Sequence, residues 1–154
     1  MKESITLSLV KVRWRHLLMT IVVVGSLVAM MLQQPFGQNP SYHNFADWRA
    51  FFGIPNFLDV ASNLAFLIVG FAGLRICRGN NLGNLRNAWI VLFAGVTLVS
   101  IGSAYYHLNP NNQTLVWDRL PMTIGFMGLF AALLGEYISE RFGAFLLVPA
   151  IIYP

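Results

Sequence analysis

AWIVLFAGVTLVSIGSAYYHLNPNNQTLVWDRLPMTIGFMGLFAALLGEYI, residues 88–138, decides the fold. Two apolar runs flank a short polar segment that contains the turn-forming Asn109-Pro110-Asn111-Asn112. Crossing the hydrocarbon core of a bilayer takes roughly 20 apolar residues in a helix. A helix that is apolar on every side belongs inside a membrane or a large core, not on a wet surface. The stretch therefore reads as two membrane spans joined by a turn. Ser103, His107 and Asp118 stand at the facing ends of those spans, where ionisable groups are costly and mark function.

Composition extends the same reading to the whole chain. Of the 154 residues, 56% are hydrophobic and 10% charged, and the mean hydropathy is +0.62. Soluble domains carry roughly a quarter charged residues. The fold class is all-α, a polytopic transmembrane helical bundle. Four apolar runs and the start of a fifth are expected, at Leu17–Leu32, 57–77, 88–106, 120–138 and from residue 143 onward. The connections, residues 33–55, 78–87 and 108–117, are rich in Gly, Asn, Pro and Gln.

The formal charge of +4 comes from ten Lys and Arg against six Asp and Glu, gathered in short clusters. No basic face tracks a nucleic acid, so nucleic-acid binding is excluded, and nothing in the residues points to a protein partner. Cys77 is the only cysteine, which rules out an intramolecular disulfide or a cysteine metal site and leaves it as a core filler. Lys2, Lys11, Arg13 and Arg15 ahead of the first apolar run also suit a signal peptide. That run ends in Met30-Met31-Leu32-Gln33-Gln34, without a small-x-small cleavage site, so an uncleaved span is expected.

Lys and Arg accumulate on the cytoplasmic side of membrane proteins. The amino terminus holds four of them and the second connection holds Arg75, Arg78 and Arg86, against Arg49 alone in the first and Arg119 alone in the third. A cytoplasmic amino terminus follows, with Ser103, His107 and Asp118 near the periplasmic or luminal face.

On a helix, Ser103 and His107 are one turn apart on one face, and Ser100 continues it. A short turn folds Asp118 back beside His107. An imidazole that binds a metal, a carboxylate that handles a proton and a hydroxyl that donates a hydrogen bond then converge, the beginning of a metal-hydrolase site. Each residue also has a plainer reading. His107 suits a membrane interface, and Tyr105, Tyr106 and Trp117 suit its aromatic belt. Asp118 suits a helix N-cap with Pro121 in the first turn. Ser103 suits close helix packing.

Ser103-x-x-x-His107, followed eleven residues later by Asp118 in Asp-Arg-Leu-Pro-Met, resembles the alkaline ceramidase family. That family is part of a membrane hydrolase superfamily with the progestin and adiponectin receptors and the Per1-like proteins. Gly53-Ile-Pro-Asn-Phe-Leu-Asp-Val-Ala-Ser-Asn-Leu-Ala-Phe-Leu67 resembles the span that opens the core in bacterial members, so a bacterial inner membrane is the expected setting. The similarity runs from about His43 to Phe126.

The resemblance implies a seven-span core with zinc on three histidines, one from Ser-x-x-x-His and two from a later His-x-x-x-His. His107 matches the first ligand, Ser103 the neighbouring serine, and Asp118 the aspartate that positions or deprotonates the metal-bound water. The implied reaction is zinc-dependent hydrolysis of a lipid amide, ceramide or an analogue that enters from the bilayer. No His-x-x-x-His occurs here; the other histidines are His16 and His43. The chain stops at Pro154 within an apolar run and reads as an amino-terminal fragment of a single membrane-embedded domain. In that reading residues 1–34 form a basic cytoplasmic tail plus the first span, and residues 55–154 start the family core. One histidine cannot hold a catalytic zinc, so these residues alone are expected to be inactive.

Eukaryotic relatives also carry a calcium site fed by an acidic segment ahead of the first core span. Here Asp47-Trp48 is followed by Arg49-Ala50, and Asn56, Asp59 and Asn63 are the remaining oxygen ligands. Hydrogen bonding between helices is the expected role for these three, ahead of calcium. Because function lives in the site and not in the fold, the competing reading is a non-catalytic seven-span protein, receptor-like or a folding or lipid-sensing factor.

Overall fold

A computed structural model describes residues 2–34 and 36–152; in the first helix it describes the side chains of Trp14 and of the residues from Leu17 onward. The side chains of Lys2, Lys11, Arg13, Arg15 and His16, and the end of the chain at Pro154, lie outside the described set. Among the described residues six α-helices follow one another: α1 (Lys2–Leu32), α2 (Phe57–Ser62), α3 (Leu64–Gly79), α4 (Arg86–Leu108), α5 (Asn112–Tyr137) and α6 (Glu140–Ile152). Among the described residues there is no β-strand; an isolated bridge pairs Phe51 with Ile54.

Three helical stretches are long and apolar enough to cross a bilayer: Phe57–Gly79, Gly83–Leu108 and Asn112–Tyr137. They fit an integral membrane protein. The apolar part of α1, Leu17–Leu32, is shorter, and α6 has 13 residues with Pro149 inside. The chain divides into two compact units, Met1–Gly37 and Gln38–Pro154. Within the first, the side chains of Leu17, Ile21, Val24, Val28 and Met31 stand exposed along α1.

Within the second unit α4 packs between α3 and α5, and α6 packs on α5. Lipid tails are as apolar as leucine, so helices in a membrane gain little from hiding large apolar side chains and instead pack through small residues. The described core follows that rule: Ala88, Ala131 and Ala132 are its most buried members. Gly95 lies against Gly125, and a Cβ on either would meet the other's Cα at 2.6 or 3.6 Å. Large side chains such as Phe66, Phe71, Ile101 and Phe126 point outward.

The third connection is much shorter than expected. Only residues 109–111 lie outside a helix, because Asn111 starts α5 six residues before the expected loop ends. Its Oδ1 accepts from the Gln113 and Thr114 amides at 2.8 and 3.0 Å, and Thr114 Oγ1 accepts from the Asn111 amide at 3.2 Å. Two of the helix's orphan donors are thereby satisfied by an Asn-x-x-Thr version of the capping box. Asp118 is consequently no N-cap, and Pro121 sits well inside the helix. Proline there removes the donor that the Trp117 carbonyl would otherwise use. Gly102 of α4 packs directly on that carbonyl, and its backbone approaches so closely that a Cβ would lie 1.9 Å from the oxygen.

Candidate functional site

The Gly102 contact places the outer ends of α4 and α5 in register. A Cβ on Gly102 would also meet the Asp118 amide nitrogen at 3.4 Å, so Asp118 lies at the level of Gly102 and Ser103. Ser103 and Asp118 are 6% and 5% exposed, which makes both of them buried polar groups in an apolar bundle. Asp118 Oδ2 lies 3.7 Å from Arg119 Nε, while Oδ1 is buried without a hydrogen-bond partner. Leaving a buried carboxylate oxygen unpaired costs free energy unless function uses it.

His107 ends the same face of α4 and is held by the segment that precedes α2. Its main-chain oxygen accepts from Asn56 Nδ2 at 2.8 Å, and the Phe45 ring packs on the imidazole with centroids 4.6 Å apart. Its Nδ1 is buried without a hydrogen-bond partner, and the nearby carboxylate is Asp59, with Oδ2 at 3.9 Å.

The segment between Gln38 and Asn56 forms a cap over this end of the bundle. Asn112, at the start of α5, accepts from the Gln38 amide at 2.9 Å and donates to the Gln38 carbonyl at 3.1 Å. Its Oδ1 also lies 3.2 Å from His43 Nε2, which must therefore carry the proton. His43 Nδ1 is left to accept from the Tyr106 hydroxyl at 2.7 Å. Arg119 donates to the Tyr42 hydroxyl and adds a second tie between the cap and α5.

Asp47 is also structural. Its Oδ2 accepts from the Leu58 amide at 2.9 Å and its Oδ1 from Arg49 Nε at 2.8 Å. It thus caps α2 from a distance, a task that Asn56 cannot perform because it adopts left-handed φ 49° and makes no side-chain cap bond. The Arg49 guanidinium and then the Leu58 N–H hold the Asp47 carboxyl below its ordinary pKa. That cap is present above the ordinary carboxylate pKa of about 4 and is lost as pH falls through the lowered folded value. Between cap and helices lies a cleft of about 440 Å³, bordered by His43, Phe45, Asp47, Asn56 and Asn112 among others.

Ser103 and Asp118 thus lie on neighbouring helices at the level of Gly102, whereas Asp59 comes to the His107 ring and Asn56 to its backbone. Asn63 does not join them: its Nδ2 folds back to the Asp59 carbonyl at 2.8 Å, the local bond an Asn readily makes within a helix. Ser100 likewise turns to the Thr97 carbonyl at 2.7 Å. Tyr106 is 2% exposed and belongs to the interior, not to an aromatic belt; Tyr105 and Trp117 are exposed.

Sequence reasoning missed Phe45 and Asn112 as supports of the site, and it treated His43 only as a spare imidazole. No spacing signal marks them, since their partners lie more than sixty residues away or on an irregular segment. Asp59, Asn56 and Asn63 were expected to share one role, and they have three.

Among the described residues, three buried side-chain atoms have no hydrogen-bond partner: Asp59 Oδ2, His107 Nδ1 and Asp118 Oδ1. All are metal-ligand types. Among the described residues, however, no three His, Cys, Asp or Glu side chains gather to hold an ion. In number, therefore, these residues do not by themselves fit a catalytic zinc.

Fold and side chains together define a helical membrane protein with buried Ser103 and Asp118 near one end of its bundle and the His107 and Asp59 pair beneath the cap. A family model described as Ceramidase matches residues 46–153, and the chain belongs to that family. Membership supports lipid amide hydrolysis in general. No curated protein and no solved structure matches the chain.

Proposed function

We propose that the protein hydrolyses the amide bond of a membrane lipid, ceramide or an analogue, at the Ser103, His107 and Asp118 end of the bundle. The observation that carries this reading is the buried, unpartnered Asp118 Oδ1, on the level of buried Ser103 in a chain of the ceramidase family. Asp118 takes the proton from the attacking water and returns one to the leaving amine, so that water and amide become a fatty acid and a free amine. Ser103 donates to the oxygen on which charge develops. His107 is the zinc-ligand candidate in this reading. Calcium has no comparable support, because Asp47 is already balanced by Arg49 and the Leu58 amide.

Protein expressed from its native gene and purified in mild detergent should release fatty acid from a fluorescent N-acyl sphingoid base. It should also contain stoichiometric zinc and lose that metal in His107→Ala. The 154 residues alone supply one imidazole to the site and should bind zinc weakly. Folded, metal-free protein that releases no fatty acid would overturn the proposal in favour of a non-catalytic membrane protein.

The placement of Lys and Arg supports a cytoplasmic amino terminus and a site at the periplasmic or luminal face of an inner membrane. A topology reporter inserted at residues 109–111 should be active outside the cytoplasm, and one near Gly83 inside. The reverse pattern would put the site on the cytoplasmic face.

A further inference from the structure

Asp59, in the first turn of α2, directs one carboxylate oxygen toward the His107 ring. Its Oδ2 and His107 Nδ1 are 3.9 Å apart, both are shielded from solvent, and neither has a hydrogen-bond partner. Two such groups left apart would each bear the cost of lost hydration. The separation exceeds a direct hydrogen bond of about 2.7–3.2 Å, and a small rotation of the carboxylate closes it. Catalytic contacts are often this long in the unliganded state.

The surroundings hold the pair in position. Asp47 caps α2 through the Leu58 amide, and the Asp59 carbonyl accepts from Asn63 Nδ2 at 2.8 Å and Ser62 Oγ at 2.9 Å. On the other side, Asn56 holds the His107 carbonyl and Phe45 covers the ring. Both partners therefore sit on supports that survive the loss of either side chain.

We infer that Asp59 is a positioning residue for His107, accepting a hydrogen bond from Nδ1–H and so presenting Nε2 unprotonated to the site. An ionised carboxylate can only accept, so the imidazole facing it must carry its proton on Nδ1. Nε2 then keeps the lone pair that a Lewis-acidic ion needs, the arrangement in which a carboxylate behind a histidine orients the ring and raises its donor strength. The inference rests on reading His107 as a donor within the proposed hydrolase. Asp59 acts through His107 and takes no part in the reaction itself.

The test needs neither metal nor substrate. The chain labelled with ¹⁵N-histidine, metal-free in detergent micelles at pH 8, is read by long-range ¹H–¹⁵N correlation, with His107 identified by its loss in His107→Gln. The wild-type protein should show the Nδ1–H form at His107. Asp59→Asn retains an acceptor and should keep it, while Asp59→Leu should revert to the Nε2–H form that free histidine favours. His43, fixed through Tyr106 and Asn112, should stay Nε2–H in every variant and so reports that the cap is folded. An Nε2–H signal at His107 in the wild type would overturn the inference, as would an unchanged His107 in Asp59→Leu with His43 in place. If Asp59→Leu disturbs His43, the wild-type and Asp59→Asn spectra decide. An inactive protein that passes the tautomer test would defeat the hydrolase reading and leave the Asp59 contact standing.

Discussion

Asp118→Asn is expected to leave the bundle folded and to lower lipid-amide hydrolysis by at least about two orders of magnitude, the usual contribution of a general base. The structure sharpens this substitution. Asn111 and Thr114 make the N-cap of α5, while Asp118 lies inside the helix, so replacing its carboxylate removes no cap. The exchange keeps size and shape but eliminates the group able to carry a proton. Asp118 Oδ2 is only 3.7 Å from the partly exposed Arg119 guanidinium, an arrangement that contributes little to stability. The measurement is turnover of a fluorescent ceramide in protein from the native gene, with helical content and zinc followed in parallel. Near-normal turnover would leave Asp118 as a packing residue. A loss of turnover with helicity and zinc intact would place its carboxylate in the chemistry.

Gly102→Ala should be far more damaging than an alanine usually is. The added carbon would lie 1.9 Å from the Trp117 carbonyl oxygen and 2.8 Å from its carbon, and backbone cannot swing aside as a side chain does. Overpacking of this kind costs roughly 1–3 kcal/mol or more. Relief requires α4 and α5 to move apart at the level of Ser103 and Asp118, so activity should fall together with stability. Gly25→Ala is the matched control: nothing lies within 4 Å of its Cβ position in α1, and alanine is the better helix former. Thermal unfolding in detergent should show a clear drop in midpoint for Gly102→Ala and none for Gly25→Ala. Equal midpoints would mean that α4 and α5 do not cross as described.

Much of the architecture was legible because a membrane restricts the options so severely. With no water to satisfy backbone groups, a long apolar run must be a helix, and mean hydropathy alone identifies the solvent. The runs at 57–77, 88–106 and 120–138 accordingly correspond to the three membrane-length helical stretches, with differences at their ends and a break at Asn63 that divides the first into α2 and α3. The difference at the start of α5 has a cause. Asn111 and Asp118 are both competent caps, and the proline at 121 favours the second by local rules. What decides between them is tertiary: Gly102 accepts the Trp117 carbonyl that Pro121 strips of its helical donor, which requires α5 to be already wound at residue 117.

The sequence by itself determined the solvent, the helical class, the family resemblance and the three residue types that the proposed chemistry needs. Those properties depend on composition and on spacings within one or two turns. Only the tertiary structure decided who meets whom. Asp59 reaches a histidine 48 positions away, Asn56 the same residue's carbonyl, and Asn112 both His43 and the Gln38 backbone. Asn63, by its type an equal candidate, turns back to its own helix. A carboxylate accepts from whichever donor, and an amide side chain bonds whichever donor or acceptor, the fold brings within about 3 Å. Its partner is therefore set by where helices cross and where a cap folds over them, and neither is written in the residues adjacent to it.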